Sequence, residues 1–473
     1  MRLRPILFSL IALAAFASGG GASAQVLLRD AEIEQWIVDY SFPIFRAANI
    51  PAEGVNILLI GDPTPNAFAG GLNMGIHTGL ITTADTPNQV EGVIAHEAAH
   101  IAGGHIARSD EALAAASRPM LLSLVLAAGA AAAGAPEAGI GLLGLGQTIG
   151  YANILTYSRG QESAADQAAI TYLDAVGHSS KGLIDFFSKL RNYQVLTSRK
   201  INPYLQSHPL AGERMSILAE RAETSPHYLV QDSPEEVARF RMIQAKINGF
   251  LQDTRVTLRQ YPLSDQSEPA RYARAVAYYR GADLEKATLE IDRLIAADPD
   301  NPYFHELKGQ MLFEFGHVAE SIAPHARSVE LAPDKALLRI NHGRALLATE
   351  TPEQVQEAVR VLKSALNIER DNSFAWFELA RAYGLLGQEG HAHLATAESR
   401  YHSGAKGEAA MFARRARASL ERGTPEWRQA TDLVLLTAGE GGAAEFEIEE
   451  RGDERDTERA PRPGDEVPDP QLR

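Results

Sequence analysis

The run His96-Glu97-Ala98-Ala99-His100 is the part of this chain whose residue types and spacing point most directly to chemistry. On a helix, residues four apart lie on one face about one turn apart, so the two imidazoles converge. Two such rings can grip one Zn²⁺ at roughly 2.0–2.1 Å. Glu97 is turned by about 100° around the helix axis from His96. It therefore lies beside the metal without binding it, where a carboxylate serves as a general base. A catalytic zinc usually takes three protein ligands and keeps one position open. The third is expected in Glu162-Ser163-Ala164-Ala165-Asp166, where Glu162 and Asp166 again stand four apart on one face. Glu162 is assigned as that ligand. Asp166 is assigned to accept the free ring N–H of a ligand histidine and so fix its tautomer. Read without the histidines, the same two residues are a solvated acidic face. The expected cofactor is one Zn²⁺ per chain, and the expected reaction is hydrolysis of a peptide bond with no covalent intermediate.

Elements must hold these residues in place. Thr86-Pro87-Asn88-Gln89 reads as a helix start, with Thr86 as cap, Pro87 at the first helical position and Gln89 completing a capping box. Gln89 to Ala95 is the helical lead-in to the motif, and the two alanines inside it favour helix. Val55–Ile60 is a β-branched, apolar run that stops at the turn signal Gly61-Asp62, and Met74–Ile81 reads as a second short strand. Residues 25–262 are expected to form one α-rich domain with a little strand.

Composition narrows the function. A chain of 473 residues implies two or three domains. It contains no cysteine, which excludes disulfides, thiolate metal ligands and a cysteine nucleophile, so any metal site must use histidine and carboxylate. The net charge of -15 and the lack of a basic patch argue against nucleic acid as a partner. At the N-terminus, Arg2 and Arg4 precede an apolar run from Ile6 to Ala17, and Ala22-Ser23-Ala24 reads as a cleavage site. Residues 1–24 are therefore expected to be a secretory signal peptide; the apolar run is short for a membrane span.

Residues 263–436 change character. Small residues recur at Ala275, Gly309, Gly343 and Ala380, each followed three positions later by a large one, Tyr278, Leu312, Leu346 and Tyr383. A second small position follows at Ala287, Ser321, Ala358 and Ala392. The period is 34 residues with one three-residue insertion, and Trp376-x-x-Leu379-Ala380-x-x-Tyr383 matches the tetratricopeptide pattern. Units of this kind bury their apolar faces only by stacking, so an α-solenoid is expected. Residues 437–473 are rich in Gly, Pro and charge and are expected to be a disordered acidic tail.

Together with Asn66-Ala67-Phe68-Ala69, Val93-Ile94-Ala95, His105 and Ser207-His208-Pro209 with Arg214, the motif resembles the gluzincin metallopeptidases of the CAAX prenyl protease type. It is similar in particular to a periplasmic branch in which such a protease precedes tetratricopeptide repeats. The resemblance implies an α+β, mainly α chain: a zincin-like metalloprotease domain with a small β-sheet, then the solenoid. It also implies a periplasmic endopeptidase acting in quality control or assembly of outer-membrane proteins. Its partners would be unfolded or misassembled outer-membrane proteins and their assembly machinery. The prenyl proteases proper are polytopic; this chain shows no set of membrane spans, so cleavage of prenylated peptides is not implied.

Other positions carry open alternatives. Asn66, Ala67, Phe68 and Ala69 lead into an expected edge strand and are assigned to substrate binding by strand addition, against an ordinary surface loop. His208 precedes a proline and so sits on a loop. There it either stabilises the oxyanion, binds zinc in a closed and inactive state, or has no role. Arg214 either pairs with a carboxylate of the site or caps a helix. His105, five residues beyond His100, would be about 140° away on a continuous helix and is read as structural. Met120–Gly134 is nearly all apolar; it reads as a buried helix, a lid or a segment touching a membrane surface, with the last two favoured. Two competing functions share these motifs: a latent protease acting mainly as chaperone or assembly scaffold, and a zinc hydrolase of cell-wall peptides.

Overall fold

The structure, a computed structural model, describes residues 26–105, 121–124, 126, 158–197 and 203–438. The expected signal peptide, nearly all of the expected acidic tail and most of Met120–Gly134 lie outside the described residues. The chain divides into two compact units, one of residues up to Arg29 with Ile44–Val230, the other of Asp30–Pro43 with Gln231 onward.

The first unit holds a four-stranded sheet of β1 (Leu27–Leu28), β2 (Asn56–Ile60), β3 (Ala67–Gly70) and β4 (Asn73–His77), in the order β1-β2-β4-β3. The β2/β4 pair is parallel and the other two are antiparallel, which leaves β3 at one edge. A two-residue turn joins β3 to β4, and Gly71 supplies its left-handed backbone at φ +60°. The strand expected over Met74–Ile81 is shorter than the apolar run: it ends at His77, and helix α2 takes Thr78–Thr83. The reason is local. The Thr78 hydroxyl and the Gly79 N–H both donate to the Asp62 carbonyl, at 3.0 and 2.8 Å, and pull the chain out of the sheet. Only a glycine fits there, because a Cβ on Gly79 would come within 2.3 Å of the Pro63 carbonyl oxygen.

Helix α3 (Pro87–Ala102) carries the motif. Pro87 occupies the first turn, as its missing N–H and fixed φ favour. The expected capping box does not form. The Thr86 side chain makes no capping bond, and Gln89 reaches past it to accept from the Asp85 N–H at 2.9 Å. From Pro87 to Ala99 every residue except Asn88 is buried, so α3 is the centre of the unit and not a surface helix. Its neighbour Lys181–Thr197 approaches closely because glycines meet backbone on both sides. A Cβ on Gly92 would lie 2.7 Å from the Leu183 nitrogen, and one on Gly182 would lie 2.5 Å from the Asn88 carbonyl.

The second unit is helical. Five antiparallel helix pairs follow one another, with first helices beginning at Glu268, Pro302, Ala336, Ser373 and Lys406. The first four starts are spaced 34, 34 and 37 residues apart, and the insertion falls within the third repeat, between Gly343 and Ala358, which stand 15 apart where the matching small positions of the other repeats stand 12 apart. The small positions do what stacking requires. Gly309 lies against the His325 ring and Gly343 against Leu362, each too close to admit a Cβ without movement. Helix Pro234–Leu251, started by a Ser233/Glu236 capping box, precedes the repeats. The N-terminal half of helix α1 (Ala31–Ala47) packs on it: Trp36 is fully buried and its ring lies 5.5 Å from Phe240. Lys246, buried, holds Asp30 and Glu32 of that segment at 2.8 and 2.9 Å, and the Tyr272 hydroxyl donates to Glu32 at 2.7 Å. No helix among the described residues is long and apolar enough to cross a membrane.

Candidate metal centre

Three elements of the first unit meet at one point: α3, the helix over residues 158–175, and the loop that follows the short helix Pro203–Ser207. They bring His96, His100, Glu162 and His208 together, with one donor atom from each lying within 4.8 Å of all the others. The Nε2 atoms of His96 and His100 face each other at 3.1 Å. His208 Nδ1 stands 3.4 Å from His96 Nε2 and 3.0 Å from both oxygens of Glu162. His96 and Glu162 are buried and His100 nearly so.

Arg214 organises the acids. It donates through Nε and Nη2 to the two oxygens of Asp166 at 2.6 and 2.8 Å, and its Nη1 lies 2.9 Å from Glu162. It stands in the first turn of Gly212–Glu223, whose start is Ala211, so its side chain faces the site and does not cap a helix. Asp166 Oδ1 approaches His96 Nδ1 at 3.0 Å, off the line of an aligned hydrogen bond. Phe187 closes one side, with its ring edge-on to His96 at 5.6 Å and the Arg214 guanidinium at the same distance. Tyr204 closes another, its ring 4.6 Å from that of His208. Nothing in the sequence marks these two aromatics.

Glu97 points to the same place from the next position on α3. It is 1% exposed, and neither carboxylate oxygen has a hydrogen-bond partner among the described residues. His208 Nε2 lies 3.5 Å from its Oε1. Burying an unpartnered carboxylate is costly unless a cation or water answers it.

Charge makes the same demand. Among the described residues, three buried carboxylates, Glu97, Glu162 and Asp166, face one guanidinium. Burial works against a charged His96, yet Asp166 and Glu162 raise its pKa to about 9. Burial and the charge on His96 push His100 down to about 3. Burial also opposes the charge on Glu162, but His208 and His96 hold its pKa far below the usual carboxylate range. A cluster of ring nitrogens and a carboxylate oxygen, surrounded by surplus negative charge, fits a divalent metal ion.

The segment Asn66–Ala69 lies in the same unit, where its strand packs against α3. Ala67–Gly70 is the edge strand β3, antiparallel to β4. Phe68 is 38% exposed, and its ring lies across Gly75, where a Cβ would come within 2.3 Å of it.

Comparison with known proteins agrees with this site. Residues 27–222 match the model of Peptidase family M48. That stretch is an M48 peptidase domain. The chain is 27% identical over 380 residues to the beta-barrel assembly-enhancing protease of Escherichia coli strain K12, covering 79% of this chain and 76% of that protein. It is 26% identical over 386 residues to the protein of the same name from Yersinia pestis, covering 80% and 78%. A shorter stretch of 76 residues is 40% identical to protease HtpX of a Psychrobacter species, covering 15% of this chain and 24% of that protein. The M48 domain is a metalloprotease domain, as the gluzincin resemblance implied. The shared length extends well past the M48 domain into the helical repeats.

Proposed function

We propose that the chain is a zinc-dependent endopeptidase of the periplasm that acts on outer-membrane proteins during their assembly or quality control. The observation that carries this reading is the convergence of His96, His100, Glu162 and His208 beside the buried, unpartnered carboxylate of Glu97. Three imidazoles and one carboxylate are a donor set that suits zinc. His96, His100 and Glu162 are the three resident ligands. Zinc bound there would polarise a peptide carbonyl and acidify water. Glu97 takes the proton from the attacking water and passes it to the leaving amine. Asp166 and Arg214 hold His96 and Glu162 in register. Asn66, Ala67, Phe68 and Ala69 present an edge strand that an extended substrate can join, with Phe68 as an apolar wall.

The relatives' name supplies the β-barrel assembly context, the family resemblance implies the outer membrane, and the expected signal peptide supplies the compartment. The repeats bind substrate or partner proteins. Leu121, Leu122, Leu124 and Leu126, each 49–61% exposed, support contact of Met120–Gly134 with a membrane surface. Incubating the purified zinc-loaded chain with an unfolded outer-membrane β-barrel protein, the same protein folded, and a cell-wall peptide tests the reading. Cleavage of the unfolded protein alone is expected. Cleavage of the cell-wall peptide alone would replace the proposal with a cell-wall hydrolase.

One observation favours a latent enzyme as the second reading. His208 offers Nδ1 to the same point as the three ligands, and a fourth protein donor fills the position that substrate or water needs. His208→Ala separates the roles. Faster cleavage with metal retained marks a closing ligand, whereas loss of cleavage with metal retained marks an oxyanion-stabilising residue.

A further inference from the structure

We infer that His105 is a positioning residue for His100, fixing which of its ring nitrogens carries the proton. The inference rests on the reading of His100 as a metal ligand.

The backbone brings His105 back to a residue that lies five positions earlier. Helix α3 ends at Ala102. The Gly103 N–H donates to the Ala99 carbonyl at 2.9 Å and the Gly104 N–H to the Ile101 carbonyl at 3.0 Å. Gly104 then adopts φ +59°, the left-handed conformation that ends helices. After it, the His105 N–H donates to the carbonyl of His100 itself, at 3.2 Å. His105 is thus folded over the helix end and does not continue around it. Its Nδ1 lies 2.8 Å from Nδ1 of His100, with the ring planes at 78°. The ring occupies space that only glycine leaves open: a Cβ on Gly103 would stand 2.4 Å from His105 Nε2 and 2.8 Å from its Cδ2.

The tautomer follows from the other side of His100. Its Nε2 faces the centre, 3.1 Å from His96 Nε2 and 3.5 Å from Glu162 Oε1. A ring nitrogen that binds metal needs a free lone pair, so the proton of neutral His100 belongs on Nδ1. That N–H donates to Nδ1 of His105, whose own proton is then on Nε2. The two histidines of the motif therefore have different outer partners. His96 Nδ1 faces the carboxylate of Asp166, and His100 Nδ1 faces a neutral imidazole. Partners of this kind orient a ligand ring, and their loss typically weakens metal binding about 10- to 100-fold. An imidazole does so without adding a further negative charge to a site that already holds three carboxylates.

The test is the zinc dissociation constant of the full chain, measured by competition with a chelator, for wild type, His105→Ala, His105→Asn and Gly103→Ala. Asparagine can place its Oδ1 acceptor where His105 Nδ1 stands. The expected result is about 10- to 100-fold weaker binding in His105→Ala and in Gly103→Ala, whose methyl group displaces the ring, with most of the affinity restored in His105→Asn. Melting temperatures of the metal-free variants, expected to match wild type, separate this from loss of fold. Equal affinity in wild type and His105→Ala would overturn the inference while leaving the metal reading intact. So would His105→Asn binding no better than His105→Ala. A wild-type chain that takes up no zinc would remove the metal reading and this inference with it.

Discussion

Arg214 is the residue on which the acids of the site depend, since a single guanidinium spans Asp166 bidentately and also reaches Glu162. Lysine is a point charge and cannot reproduce that fork. Arg214→Lys is therefore expected to weaken zinc binding by about 10-fold or more, read by chelator competition; an unchanged constant would mean the carboxylates hold themselves in place. Within the site, what was legible in sequence is what a helix places locally. His96 with His100 and Glu162 with Asp166 are four-residue spacings whose geometry is fixed before any tertiary contact. His208 is 112 positions from His96, and no local rule brings it among the donors; the sequence offered three roles for it and could not choose. His105 stands outside the donor set, as its structural reading implies, but against the His100 ring and not on another side of the helix. An angle of about 140° assumes that α3 continues, whereas Gly103-Gly104 ends it, and that pair was a visible stop signal. Phe187 and Tyr204 had no signal, because a buried aromatic beside a site looks like any other core residue.

At the scale of elements, the repeats were legible because their period is imposed by stacking and recurs in the small positions. The association of Asp30–Pro43 with the repeat-containing unit was not, because the contacts join residues more than 200 positions apart. That segment is expected to be part of the unit's fold. Trp36→Ala empties a fully buried site against Phe240 and should lower the stability of that unit by about 3–5 kcal/mol, measured by urea unfolding. A change below about 1 kcal/mol would show that the helix is only loosely attached. The same region predicts a pH effect. Burial, together with the nearby Asp30 and Glu32 charges, pushes Glu306 up to about 7, although Lys246 and a hydrogen bond from Asn341 at 3.0 Å oppose this. A carboxyl with a raised folded-state pKa contributes stability that is complete below about 4.5 and is lost as pH rises through about 7. Glu306→Gln should therefore make this unit more stable than wild type at pH 8, by about 1–3 kcal/mol, and flatten its melting profile between pH 5 and 8. Parallel profiles for the two proteins would refute it.

For the molecule as a whole, a metalloprotease domain shares one chain with a stack of helical repeats, and the two make separable demands on phenotype. If catalysis is the main task, Glu97→Gln should reproduce in cells most of what deleting the whole chain does. If the chain acts mainly as a scaffold, deleting residues 263–436 should do so and Glu97→Gln should be mild. Outer-membrane protein assembly, read as the ratio of folded to unfolded β-barrel protein, distinguishes these. The central claim is that Glu97 acts as a base beside a metal it does not bind. Its most direct test is zinc content measured together with cleavage of casein, for wild type and Glu97→Gln. One zinc per chain in both proteins is expected, with cleavage at least about 100-fold slower in the variant. Full cleavage by Glu97→Gln, or loss of its zinc, would contradict the account.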